Sequence, residues 1–126
     1  MTCLGSSKQY SGGGLVPFKR VMVTNGISTS GVGKIKQTGT FTCETAGVYL
    51  ISAFIMTNTN GAATGIYRNS NLIVVGFVSV NGHYQTTTVV GLERLDVNDI
   101  ISIKTYYNMY IYGYSQTCLS VLQITM

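Results

Sequence analysis

The chain has no tryptophan, one proline, one histidine and four acidic residues in 126 positions. Each shortage removes a class of function. His83 is the only imidazole, and the only carboxylates are Glu44, Glu93, Asp96 and Asp99. Because the last three sit in one short segment, neither a Ser-His-acid set nor a facing carboxylate pair can be assembled. The chain therefore reads as a non-enzyme. Cys3, Cys43 and Cys118 form no C-x-x-C pair, which removes the usual zinc and redox motifs. An odd count leaves at least one thiol free or paired between chains, and Cys43 with Cys118 is the candidate bridge. No apolar run approaches the ~20 residues of a membrane-spanning helix. There is no Asn-x-Ser/Thr acceptor, and the start, "MTCLGSSKQYSGGG", has no apolar signal-peptide core.

Charge is scarce as well. Charged residues make up 10% of the chain, against roughly 25% in an average soluble domain. Much of the surface must then be Ser, Thr, Asn, Gly and Tyr, or be covered by partner subunits, so an oligomer is expected. The net charge of +4 is uneven: Lys8, Lys19, Arg20, Lys34 and Lys36 all precede the first acid, Glu44. Such a lobe suits polyanions such as acidic polysaccharide, although lysines also blunt sheet edges. With no Lys/Arg run and no aromatic-basic pattern of an RNA-binding sheet, nucleic acid is not an expected partner.

What the chain does have is glycine, fifteen in all, and short apolar or alternating runs broken by Gly and Asn every 8–12 residues or so. Asn-Gly in "TNGIS" (24–28) and "VNGHY" (80–84) suits tight hairpin turns. Candidate strands fall at 15–23, 39–44, 47–57, 63–68, 72–80, 84–95, 99–107 and 117–125. Residues 1–14 read as a flexible leader hinged at Gly12–Gly14, and 15–126 as one all-β domain of sandwich or jelly-roll type. "STSGVGKIK" (28–36) lacks phosphate-loop spacing and reads as a loop, with no helix expected. Strand 47–57, "GVYLISAFIMT", has Ser52 as its only interior polar residue. A strand apolar on both faces must be covered on both, and a two-layer sandwich covers only one. The other face is expected to meet a neighbouring subunit.

These segments resemble the globular head domain of complement C1q, in the superfamily shared with tumour necrosis factor. Gly39, Phe41, Thr42, Cys43, Gly47, Tyr49 and Ser52 match the stretch G-x-F-T-C/A leading to P-G-x-Y-x-F-S. Leu92, Leu95, Asp99 and Ile101 match L-x-L-x-x-G-D-x-V-x-[LV]. "VPFKRVMVTNG" suits the opening, and "CLSVLQI" (118–124) sits where F-S-G-F-L-L usually ends the domain. The departures are Ala46 for Pro, Asn98 for the Gly of Gly-Asp, and Leu119-Ser120-Val121-Leu122 for F-S-G-F. With no collagen-like stem ahead of it, the chain is most similar to the C1q-domain proteins of bivalve molluscs. The resemblance implies a ten-stranded jelly-roll β-sandwich, secreted and packed as a homotrimer. Its candidate interface residues are Tyr49, Ile51, Phe54, Ile55, Leu122 and Ile124. Some relatives hold calcium, which takes six to eight oxygens, and Glu93, Asp96 and Asp99 leave it open here without supporting it, because Glu93 and Asp96 read as solvent-facing beside Arg94. Asp99 matches the turn aspartate, so no metal or cofactor is expected.

The implied function is a lectin for innate recognition of microbial carbohydrate. Alternatives are a signalling or adaptor module binding a protein receptor, and a structural matrix trimer. Five of the nine tyrosines fall in "YYNMYIYGY" (106–114). Tyrosine offers sugar a rigid ring with a polar tip. If the segment stays extended, Tyr107 shares the apolar face with Met109 and Ile111, whereas Tyr106, Asn108, Tyr110, Tyr112 and Tyr114 share the polar one. Those five, with Asn81 and His83, are the candidate glycan-binding residues. Two readings stand for the rings, a subunit interface or a sugar platform.

Overall fold

The computed structural model describes residues 1–78 and 83–125. In chain order the elements begin with β1 (Thr2–Leu4), β2 (Lys8–Tyr10), β3 (Leu15–Val16), β4 (Arg20–Val21) and helix α1 (Thr29–Thr38). They continue with β5 (Phe41–Thr42), β6 (Gly47–Thr57), β7 (Ala63–Arg68), β8 (Asn71–Phe77) and β9 (Gln85–Leu95). The last are β10 (Ile100–Thr105), β11 (Met109–Tyr112) and β12 (Tyr114–Thr125). They form a jelly-roll sandwich of a seven-stranded and a five-stranded sheet. The ten expected strands appear as twelve segments because several lie end to end. β11 and β12 share one edge of β6, and β3 and β5 share one edge of β10.

β6 organises the larger sheet. It pairs along its whole length with β9, from Gly47–Leu95 to Thr57–Gln85, and on its other side with β12 and β11. Its odd residues point between the sheets, where Ile51 and Ile55 are fully buried with Ile66, Leu95, Ile101, Ile103 and Ile111. Its even residues, Val48, Leu50, Phe54 and Met56 among them, stand half-buried on the outer face. Strands 47–57 and 63–68 thus fall where the sequence places them.

Three expectations are overturned. Residues 1–14 are not a free leader: β1 pairs with β12 and β4, β2 pairs with β11, and Leu4 and Tyr10 are buried. Two runs of only three residues each, separated by Gly and Ser, were too short to read as strands. The disulfide joins Cys3 to Cys118, which are directly paired across β1 and β12, and leaves Cys43 buried and free. Cys43 lies beside β5 and contacts Thr45 and Tyr49, far from Cys118 in the topology. The segment 28–36 is no loop but most of α1.

The helix has both end signals. The Ser28 hydroxyl accepts from the Gly31 N–H, and Gly39, at φ 73°, ends the helix by donating to the Ile35 carbonyl. Its interior glycines hid it, since each costs roughly 1 kcal/mol against Ala. Gly31 is needed for close packing, because a Cβ there would lie 2.6 Å from the Glu44 carboxylate. Asn98 has φ 75°, so the departure from Gly at this turn is filled by a residue that tolerates the left-handed region.

Candidate functional site

The segment 106–114 does not stay extended. β10 ends at Thr105, whose backbone is tied to the Gly13 and Gly14 loop. Residues 106–108 then turn into β11. Tyr107 is therefore not a core residue: it is 50% exposed and stands edge-on to Tyr106 at 5.2 Å. Tyr106 meets Phe77, from the end of β8, at 6.4 Å. On β11 alternation returns, with Met109 and Ile111 buried and Tyr110 and Tyr112 on the outer face of the larger sheet. Tyr112 stacks edge-on with Tyr110 at 5.0 Å and with Tyr84 at 5.2 Å.

The backbone joins these two ring clusters at one end of the sandwich. The Tyr106 N–H donates to the Ala63 carbonyl at 2.8 Å, and the Tyr110 N–H donates to Thr59 Oγ1 at 2.9 Å. Asn58 and Asn60 belong to the same connection between β6 and β7, and Asn58 hydrogen-bonds the Tyr112 hydroxyl. Desolvation, then the neighbouring Tyr84 hydroxyl, raises the Tyr112 phenol above its ordinary range. His83 is exposed and adjoins Tyr84. Asn81 lies outside the described residues.

Not every candidate joins this end. Tyr114 is exposed opposite Leu4, at φ 62° where β11 passes into β12, and makes no ring contact among the described residues. Asn108 is at the right end but has a structural partner: its Oδ1 accepts from the Gly12 N–H at 2.7 Å. Sequence reasoning missed Phe77 and Tyr84. They flank the Asn81-Gly82 pair in the sequence, which is the signal that could have placed them here.

At the opposite end Asp96 and Asp99 are engaged in structure. Arg68 donates to Asp99 Oδ2 through Nη2 at 2.7 Å and Nε at 3.0 Å, and reaches Asp96 at 3.5 Å. The Asp96 N–H, the Asn69 amide and Arg68 together hold the Asp99 carboxyl below its usual range. Among the described residues, no three His, Cys, Asp or Glu side chains come together to hold a metal.

No protein-family model matches the chain, and no curated protein matches it. Solved structures do. The globular domain of a zebrafish complement 1qA protein superposes with a TM-score of 0.72 at 14% identity, covering 98% of this chain and 94% of that one. Murine APRIL at pH 5.0 gives 0.75 at 15% identity over 98% and 97%, and Eiger TNF from S. frugiperda 0.70 at 10% over 98% and 88%. The fold is C1q/TNF-like.

Within this C1q/TNF-like fold the candidate interface residues divide by face. Tyr49, Ile51 and Ile55 are buried in the chain's own core, a correction to the expectation that they meet a neighbour. Phe54, Leu122 and Ile124 are on the outer face of the larger sheet, because Phe54 pairs with Cys118 and Leu122 with Leu50 across β6 and β12. The same face carries Leu92 opposite Leu50 and Val90 opposite Ser52 on β9. Leu92 and Leu122 are 61% and 58% exposed in the single chain. Tyr110 and Tyr112 continue this apolar face toward the aromatic end.

Proposed function

We propose that this chain is an extracellular, non-catalytic recognition module that assembles as a homotrimer and binds glycans, microbial polysaccharides included, at its aromatic end. The observation that carries the reading is the presence at one end of the sandwich of two ring clusters, Phe77 with Tyr106 and Tyr107, and Tyr84 with Tyr112 and Tyr110, the second with Asn58 at the Tyr112 hydroxyl. Exposed rings cover the apolar face of a pyranose, and amide and hydroxyl groups orient it. Tyr110 and Tyr112 also stand on the apolar sheet face that a trimer would cover, which leaves Tyr106 and Tyr107 as the principal sugar contacts.

Trimerisation supports the reading in two ways. It covers exposed leucines that a monomer of low charge would leave in water. It also multiplies a weak single site by ~10² or more in avidity when ligands can be engaged together. The test is a glycan array probed with the assembled protein. The expected result is a signal that free sugar competes away and that Tyr106→Ala with Tyr107→Ala removes. No signal above background, together with a protein captured from extract that survives excess sugar, would favour a receptor-binding module instead.

A further inference from the structure

At the end of the sandwich opposite the tyrosines the two sheets part, and a cleft enters between them. Its inner walls are Leu119 and Val121 of β12, Phe41 of β5 and Ile35 of α1, and Val23 and Ile27 cover it from the connection before the helix. A second compartment shares Ile27, Phe41 and Val121 but is lined on its far side by Asn25, Glu44, Thr45, Tyr49 and Gln123. The compartments measure about 30 Å³ and 80 Å³, so each has room for at least one water-sized group. Exposed Val23, Asn25 and Glu44 leave the mouth open.

One residue that lines this cleft carries a polar atom without a partner. Gln123 is on the inner face of β12 opposite Tyr49, where the ladder is bulged between Gln123 and Thr125. Its Nε2 is enclosed and makes no hydrogen bond among the described residues. A buried amide of this kind is costly unless a ligand or water supplies an acceptor. Nearby polar groups do not compete for that role. The Tyr49 hydroxyl already donates to the Thr45 carbonyl, and burial, then the Cys43 contact, pushes its pKa up to about 12. Glu44 is held by the Ser28 hydroxyl and by the Ser28 N–H at 3.0 Å, which keeps the carboxylate ionised and fixed at the mouth.

We propose that this cleft is a binding site for an acylamino group, the acetamido group of a small N-acetylated molecule. That group is compact, with an apolar methyl beside an amide that both accepts and donates. Its methyl would enter the compartment walled by Ile27, Phe41 and Val121, its carbonyl oxygen would accept from Gln123 Nε2, and its N–H would face the Glu44 carboxylate. A carboxylate in place of the acetamido group would meet Glu44 as a like charge, and a plain hydrocarbon would leave Gln123 unpaired. The remainder of the ligand, sugar or amino acid, stays outside the mouth.

The site is remote from the aromatic end and stands independently of the glycan reading given for it. The test uses the full chain and methyl-detected NMR of Ile27, Ile35 and Val121. N-acetylglucosamine and Nε-acetyllysine are titrated to tens of millimolar against glucosamine and lysine. Shifts with the acetylated compounds alone are expected, and the stronger of the two names the source of the group. Gln123→Leu should abolish the shifts while the melting temperature holds or rises, because it removes an unpaired donor. Ile27→Phe, which fills the shared wall, should abolish them too, and Tyr106→Ala should leave them intact. No shifts, equal shifts with the deacetylated compounds, or shifts that persist in Gln123→Leu would overturn the proposal.

Discussion

The side-chain oxygen of Asn108 accepts a hydrogen bond from the Gly12 N–H at 2.7 Å, tying the turn before β11 to the glycine loop between β2 and β3. An asparagine set among tyrosines has the composition of a sugar ligand, yet its oxygen here closes a contact 96 positions apart in sequence. Asn108→Ala should therefore lower stability by about 1 kcal/mol, the usual net worth of such a bond. Urea denaturation checks this. Unchanged stability with lost glycan binding would return Asn108 to the binding surface.

The Cys3–Cys118 disulfide closes a loop of 115 positions and fastens β1 beside the last strand. A crosslink of this length restricts the unfolded chain strongly. Replacing both cysteines by serine should cost about 2–4 kcal/mol in chemical denaturation. Mass spectrometry of the unreduced protein should show the Cys3–Cys118 peptide pair and alkylation of Cys43 only after unfolding.

Two glycines of α1 and its cap should respond in opposite directions. Gly39 has φ 73°, and a Cβ there would lie 2.4 Å from Pro17 Cα. Gly39→Ala should destabilise by roughly 2–5 kcal/mol, from backbone strain and overlap combined. Gly33 has nothing within 4 Å of a Cβ. Gly33→Ala should stabilise by about 0.5–1 kcal/mol. Thermal melts of both variants read the two signs.

Much of this architecture could be read from residues alone. The two-faced composition of 47–57 marked β6 as the strand with a core on one side and something else on the other, and its bounds hold to the residue. Parity also worked on β11, where Met109 and Ile111 are buried and Tyr110 and Tyr112 are not. It failed at Tyr107 because three residues of turn interrupt the strand, which composition does not reveal. The helix was hidden by Gly31 and Gly33, although Ser28 and Gly39 bracket it with cap residues. β1 and β2 were hidden by brevity: three-residue strands are held by long-range pairing and a disulfide, not by their own pattern. The aromatic end assembles from segments around Phe77, Tyr84 and Tyr106, and only the topology brings those together.

Asp99 should make the fold acid-sensitive. Its carboxyl is depressed below the usual 3.8 by the Asp96 N–H, the Asn69 amide and Arg68. A group whose pKa is lower when folded stabilises the native state above its unfolded pKa, and loses that contribution as pH falls through the folded value. Stability should therefore decline as pH drops toward 3.8 and below it. Asp99→Asn should start less stable at neutral pH and show a flatter acid limb. Denaturation midpoints between pH 7 and 2 check the slope.

The recognition reading rests on the outer face of the larger sheet being covered by copies of the same chain. Sedimentation velocity at micromolar concentration tests this most directly, with Leu122→Lys as the comparison, since Leu122 is 58% exposed on that face. The expected result is a wild-type species of three 13.6 kDa chains and a folded monomer for Leu122→Lys. A wild-type protein that sediments as a monomer at tens of micromolar would contradict the account.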